Sequence, residues 1–248
     1  MVHCAMSDYT TSTYGDRIAA AYDDIHPSTD DADEAVATLA ELAAGGPVLE
    51  LAIGTGRLAL PLADRGVPVQ GIDASEAMVA RLRAKPGGDA IDVTIGDFAD
   101  VAVDGRFALV FVAFNTFFAL LTQDDQVRCF ANVASHLTDD GTFVIEAFVP
   151  DLTGYKWNQR VSAMHVGTDS VRLDAARIDP AEQRVTATHV VLTGDGTQLY
   201  PVQLRYAWPA ELDLMARLAG LRLRHRWADW ERRRFDGSSG RHVSVYGM

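Results

Sequence analysis

Hydrophobic positions repeat at helical spacing from Tyr14 to Tyr22 and again from Asp33 to Ala44, where Gly45-Gly46-Pro47 stops the second helix. From Pro47 onward the rhythm alternates. Short apolar runs at Pro47–Ile53, Pro68–Ile72, Ile91–Ile95, Phe107–Phe114 and Gly141–Phe148 read as strands, and the stretches Gly56–Arg65, Ser75–Ala84 and Asp124–His136 read as helices between them. Ser75 is an N-cap residue type ahead of Met78 and Leu82, and Gln123-Asp124-Asp125 sets acids at a helix start, where the dipole favours them. Strands alternating with helices predict an α/β, doubly wound parallel sheet covered on both faces. After Ser170 the period falls to two. Val171–Ile178, Arg184–Thr193 and Gln198–Trp208, separated by Asp179-Pro180 and Gly194-Asp195-Gly196, predict an antiparallel meander. Pro209–Ala219 returns to helical spacing, and Leu221–Trp230 and His242–Met248 close the chain as strands. The pattern divides the chain into a helical segment (1–46), an alternating core (47–150), a β-rich insertion (151–208) and a terminal helix with strands (209–248).

Composition narrows the partners. A chain of 248 residues with 48% apolar content suits one domain carrying an insertion. Its net charge of −12 argues against nucleic acid and against an anionic membrane surface. The arginines from Arg222 to Arg234 read most simply as solvated side chains on a strand and loop. Cys4 and Cys129 lack metal-ligand spacing, no sequence cluster of ligating residues occurs, and so few thiols suit a reduced, cytoplasmic chain; no metal is expected. No run approaches the roughly 20 apolar residues of a membrane span, and no secretory signal pattern opens the chain. Met1 to Ser12 reads as a floppy leader, with Met6 an alternative start.

Candidate chemistry gathers at the predicted strand ends. Gly54 and Gly56 let the backbone turn tightly and approach a ligand, and the following helix offers unpaired N–H groups. Asp73, ending the second strand, is placed to accept hydrogen bonds from ribose hydroxyls. The third strand ends in Gly96-Asp97-Phe98, which also fits a plain turn. These features point to a nucleotide cofactor. Gly54-x-Gly56-x-x-Ala59 satisfies the relaxed dinucleotide fingerprint too, so a nicotinamide-dependent oxidoreductase is a rival reading. Glu50 stands inside an apolar strand, unusual for a surface acid. Tyr14 and Tyr22 share a helical face that core packing also explains. Glu146 fits a substrate contact or a satisfied buried acid, Arg57 a contact to the cofactor's carboxylate or, more simply, a helix-surface position, and His165 and His189 a base reaching over the site or, more simply, solvated strand positions.

Glu50-Leu51-Ala52-Ile53-Gly54-Thr55-Gly56 resembles the first motif of class I S-adenosylmethionine-dependent methyltransferases, an acid followed by three alternating glycines, with Ala52 replacing the first glycine. Asp73 resembles that family's ribose-binding acid, with Ala74 and Met78 beside it, and Gly96, Asp97 and Phe98 resemble the adenine-side element. Leu137 to Gly141 with the Phe143–Phe148 strand resembles the late motif. More narrowly, Tyr14-Gly15-Asp16, Tyr22-Asp23 and the run Phe111–Phe118 resemble actinobacterial small-molecule N-methyltransferases. The resemblance implies a Rossmann-like methyltransferase sheet of order 3-2-1-4-5-7-6 with the seventh strand antiparallel, an N-terminal helical lid and S-adenosylmethionine as cofactor. It also implies that Tyr14 and Tyr22 face the reaction centre, that Phe117 or Phe118 shapes the pocket with Asn115 beside it, and that Ala113 and Phe114 border the cofactor. It further implies a small-molecule acceptor, an amine of a secondary metabolite or amino sugar, and the lack of a histidine after the first four strands, where a hydroxyl acceptor needs a base, tilts the same way. O- or C-methylation and a noncatalytic binding module are the alternatives, and the meander is expected to cover the pocket or to pair subunits, with a homo-oligomer favoured.

Overall fold

Seven strands make the central sheet of the computed structural model, which describes residues 9–26 and 30–248. In chain order the core strands are β1 (Val48–Leu51), β2 (Val69–Asp73), β3 (Asp92–Ile95), β4 (Phe107–Val112) and β5 (Leu137–Phe148), completed by β10 (Arg222–Trp227) and β11 (Arg241–Gly247). Their order across the sheet is β10-β11-β5-β4-β1-β2-β3, with β11 antiparallel to β5 and β10. Counted along the core this is 3-2-1-4-5-7-6, the order the methyltransferase resemblance implies.

Apolar runs without alternation suit β1 and β4 because both faces of these central strands are covered. On one face α6 (Gln123–His136) and α7 (Pro209–Leu218) bury Phe130, Val133, Leu212 and Met215 against Phe143, Ile145 and Tyr246. Phe130 meets Phe143 and Tyr246 edge to face at 5.2 and 5.6 Å. On the other face α3 (Asp30–Ala43) and α4 (Ala59–Asp64) bring Val36, Leu39, Leu58 and Leu62 onto Leu109, Phe111 and Val144. Between β2 and β3, α5 (Glu76–Arg83) starts from Ser75, whose Oγ accepts the Met78 N–H at 3.2 Å as expected of an N-cap. β5 begins at Leu137, four residues ahead of the expected start. Its register against β4 jumps from Phe107–Leu137 to Leu109–Thr142, so 138–141 bulge outward with Asp139 and Asp140 in solvent.

The N-terminal helix expected over Tyr14–Tyr22 is two pieces, α1 (Thr13–Ile18) and α2 (Tyr22–Ile25). Arg81 of α5 causes the break. Its Nε and Nη2 donate to the carbonyls of Ala19 and Ala20 at 3.2 and 2.6 Å, occupying acceptors that a continuous helix needs for Asp23 and Asp24. Residues 1–8 of the expected leader, with Met6 and Cys4, lie outside the described residues. Tyr9 is already docked: its hydroxyl accepts the Gln203 N–H at 3.2 Å.

The insertion is a separate antiparallel sheet, β6-β7-β8-β9, built from Gln159–Val166, Ser170–Asp179, Arg184–Thr193 and Gly196–Arg205. Three strands were expected. β6 is exposed along most of its length, so no apolar alternation marks it. Arg205 rivets the sheet to the core. This buried guanidinium donates to Gln126 Oε1 at 2.7 Å and Glu211 Oε1 at 2.8 Å, while Gln126 Nε2 donates to the Arg205 carbonyl at 2.8 Å. Tyr200, on the inner face, packs with Ile18, Met78 and Tyr14, which puts the meander over the lid and the carboxyl ends of the core strands.

Candidate active site

The first βα loop holds an unusual backbone. Ala52, Gly54 and Gly56 all have positive φ, 57°, 58° and 80°. A left-handed alanine costs roughly 1–2 kcal/mol, and the loop persists because its neighbours bond it. Ile53 N–H reaches the Ile72 carbonyl at 3.0 Å, and Gly54 N–H donates to Asp73 Oδ2 at 2.7 Å. Gly56 also serves packing, since a Cβ there would lie 2.3 Å from Leu82 Cδ1 on α5. It lets two helices close beside the loop.

Asp73 clamps two segments. Its Oδ2 holds Gly54, its Oδ1 accepts the Ser75 N–H at 2.8 Å, and the side chain is buried. Burial lifts its carboxyl above the usual range, with the two N–H donors pulling the other way. Each oxygen retains a lone pair for a ribose hydroxyl. Glu50 is fully enclosed, its Oε2 has no hydrogen-bond partner, and burial together with the Asp73 charge holds its carboxyl well above the ordinary value. Ala74 is half-buried after Asp73, and the buried Met78 lies against the lid.

Two latches fasten the lid, each an aspartate adjoining or near a predicted tyrosine. Asp16 Oδ1 accepts from Ser75 Oγ at 2.6 Å, and Gly15 allows that approach, since a Cβ there would lie 2.6 Å from Ser75 Cβ. Asp23 Oδ1 accepts from Thr55 Oγ1 at 2.6 Å, its Oδ2 pairs with Lys85 Nζ at 2.8 Å, and Lys85 also donates to the Thr55 carbonyl. Partial burial works against the Asp23 charge, but the Lys85 and Thr55 donors outweigh it and its carboxyl titrates below the usual range. Tyr14 and Tyr22 are thereby held half-buried, and burial raises both phenols, which stay neutral at physiological pH.

Arg57 is not on a helix surface. Its guanidinium lies 3.6 Å from the centroid of the Phe114 ring, and its Nε is buried without a partner. Phe114 and Asn115 both take left-handed backbone, φ 55° and 66°, directly after β4. Glu146 stabilises that turn: Oε2 accepts the Phe114 N–H at 3.0 Å and Oε1 lies 3.7 Å from Arg241, so it is the satisfied buried acid. Asn115 is half-buried, and its Oδ1 accepts the Phe148 N–H at 2.6 Å, which fixes its side chain on β5. Phe117 is corrected. It is fully buried among Phe130 and Phe143, at 5.4 and 6.4 Å edge to face, and Phe118 is fully buried against Phe148. The ring presented to the cofactor loop is Phe114, behind the buried Ala113. At the third strand end, Gly96 N–H donates to the Asp73 carbonyl at 2.9 Å, Asp97 Oδ1 caps its own turn on the Ala99 N–H at 2.9 Å, and Phe98 is buried in the core.

Residues 48–141 match the family described as Methyltransferase domain. The structure of the CcbJ methyltransferase from Streptomyces caelestis superposes with a TM-score of 0.91 at 45% identity, covering 97% of this chain and 99% of that one. The chain belongs to the S-adenosylmethionine-dependent methyltransferases. The cypemycin N-terminal methyltransferase of a Streptomyces species is 29% identical over 178 residues, 71% of this chain and 73% of its own. CalS10, an amino pentose methyltransferase from Micromonospora echinaspora with S-adenosylmethionine bound, shares the fold at TM-score 0.69 and 20% identity, covering 92% and 94% of the two chains. This methyltransferase transfers the methyl group of S-adenosylmethionine to a small-molecule acceptor. Its residues fit the cofactor on their own chemistry, because the buried, unpartnered Glu50 Oε2 and Arg57 Nε offer an acceptor for an ammonium and a donor for a carboxylate at one strand end. Among the described residues no group of three or more His, Cys, Asp or Glu could hold a metal ion, and no helix is long and apolar enough to cross a membrane.

Local sequence carried no signal for the interior position of Arg57, for His26 or for the docking of Tyr9. His165 is exposed on β6, as a solvated strand histidine would be. His189 is half-buried, and its ring lies edge-on to Tyr14, with centroids 6.3 Å apart.

Proposed function

We propose that this enzyme methylates an amine on a small polar molecule of secondary metabolism. The observation carrying the reading is the wall opposite the cofactor loop, where Tyr14 and Tyr22, kept as neutral phenols by burial, meet the inner face of the meander. Relatives named for an N-terminal acceptor and for an amino pentose support it.

Glu50 and Arg57 would hold the amino and carboxylate ends of the cofactor, Asp73 with Ala74 and Met78 the ribose side, and Gly96, Asp97 and Phe98 the adenine side, while Ala52, Gly54 and Gly56 shape the turn beneath. When bound, S-adenosylmethionine supplies an electrophilic methyl group on a cationic sulfur. The chain's task is then alignment and exclusion of water. The latched lid performs both: Asp16 and Asp23 fix α1 and α2, and the tyrosines they position present electron-rich rings to a cation. An amine attacks through a nitrogen lone pair and needs no activated oxygen, in keeping with a site whose strand-end loops carry no histidine base.

A panel of small amines and alcohols incubated with methyl-labelled S-adenosylmethionine tests this. Label in amine products, extractable as bases, is expected; label confined to ethers or carbon-linked products refutes the amine reading.

A further inference from the structure

Across the inner face of the meander, Ser162, Asp174, His189 and Tyr200 stand opposite one another in register on four successive strands. Within this row His189 Nδ1 lies 3.2 Å from Asp174 Oδ1, a buried oxygen with no other partner. The imidazole itself is more open, its side chain 36% exposed against 16% for the carboxylate, and it meets the ring of Tyr14. A carboxylate on Nδ1 selects the tautomer carrying its proton there and leaves Nε2 as an acceptor.

We propose that Asp174 and His189 form the acceptor side of the active site, taking a cationic amine beside Tyr14 and removing its proton. The proposal rests on the amine reading above and names the group that makes the nucleophile. The ammonium N–H bond breaks, its electron pair remains on nitrogen as the attacking lone pair, and His189 Nε2 binds the proton and later yields it to water. Asp174 balances the imidazolium. Most amines are protonated at neutral pH, so the site must supply this step before any lone pair exists. The charged and titratable groups around His189 are Tyr14 and His26 from the lid, Asp174 and Arg172 from β7, Tyr200 from β9, and Arg57 beyond His26. His26 does not compete, because burial, then Arg57, His189 and Arg172, hold its imidazole down at about 4. The arginines keep constant charge.

The test uses the full chain and two soluble ligands, S-adenosylhomocysteine and sinefungin. They share the nucleoside and amino-acid parts, but sinefungin carries an amine where the transferable methyl stands. Calorimetric affinities are measured from about pH 5.5 to 8, where an imidazole titrates and an alkylammonium does not. In the unmodified enzyme the preference for sinefungin over S-adenosylhomocysteine should rise about three- to fivefold as pH increases through this range. His189→Gln should flatten that rise. Asp174→Asn should lower the preference by about three- to fivefold, with S-adenosylhomocysteine bound within about twofold of normal as proof of folding. A preference that neither varies with pH nor responds to either substitution overturns the subsite alone. Failure of both ligands to bind the unmodified enzyme, or oxygen-only transfer in the acceptor panel, overturns the reading beneath it.

Discussion

Asp73→Asn separates two roles that ligand affinity alone would merge. The carboxylate accepts N–H groups from Gly54 and Ser75 at 2.7 and 2.8 Å in a buried setting, so it ties the first and second βα loops together before any cofactor arrives. Asparagine can satisfy one of these donors with its carbonyl, but it turns an NH2 toward the other. One hydrogen bond to a charged acceptor is lost and one buried N–H is stranded, each a cost of roughly 1–3 kcal/mol. Against this, the variant no longer buries a charge, and that desolvation raises the Asp73 carboxyl in the folded chain. The two effects leave a net loss of about 2 kcal/mol, roughly 30-fold in the folding equilibrium. Urea unfolding of the ligand-free protein should show it as a lower midpoint at unchanged slope. Calorimetry with S-adenosylhomocysteine should show, in addition, an affinity loss of about tenfold or more from the missing ribose acceptor. Exposed Asp139→Asn should shift neither by more than about 0.5 kcal/mol. Reduced affinity with an unshifted unfolding midpoint would refute the clamp and leave Asp73 as a ligand contact only.

Three further outcomes follow from the same geometry. Ala52→Gly should stabilise the fold by about 0.5–1 kcal/mol, since relief of the left-handed alanine exceeds the added entropy of the unfolded chain, and thermal unfolding in the absence of ligand measures it. Asp23→Ala removes one lid latch, whose half-exposed ion pair and Thr55 hydrogen bond together are worth about 0.5–1 kcal/mol, so release of S-adenosylhomocysteine in stopped flow should quicken about two- to fivefold; an unchanged rate would show that α2 does not cover the ligand. His242 is buried, and burial with the nearby Arg226 charge holds its imidazole down at about 3. The unfolded imidazole titrates near 6.5, so the unfolded state binds the extra proton between these values and stability falls as pH drops below 6.5, by about 2 kcal/mol at pH 5. His242→Asn should flatten that part of the urea-midpoint profile.

Much of this arrangement was legible because it is local or periodic. Strand–helix alternation carries the core order, a serine ahead of an amphipathic stretch carries the α5 cap, and a glycine-rich turn followed by a strand-terminal acid carries the pairing of Gly54 with Asp73. What stayed hidden depends on partners distant in sequence. The break between α1 and α2 is made by Arg81, far along the chain, and no helical propensity reports a carbonyl claimed from outside. Arg57 reads as a helix-surface residue until the left-handed turn at Phe114 and Asn115 brings an aromatic ring beneath it. Phe117 and Asn115 sit in the expected loop, but the same turn sends one ring into the core and the other side chain onto β5.

The Asp174–His189 pair is the instructive middle case. The turn signal at Asp179-Pro180 places the β7–β8 hairpin, and once Asp179 faces Arg184, antiparallel pairing obliges each residue earlier on β7 to face one later on β8. Five steps back from Asp179 is Asp174, and five steps on from Arg184 is His189. Their juxtaposition was therefore implicit in a turn that sequence reasoning already recognised. The chain alone did not reveal which face of the hairpin would look inward, because both faces carry apolar residues. Core and lid make that choice together: Val185 and Leu204 pack on the central core, and Tyr200 buries with Ile18 and Met78, when the face bearing Asp174 and His189 turns inward. Packing that closes the lid and placement of the Asp174–His189 pair are thus one structural decision, so the proton acceptor proposed above would come from the insertion and not from a strand-end loop.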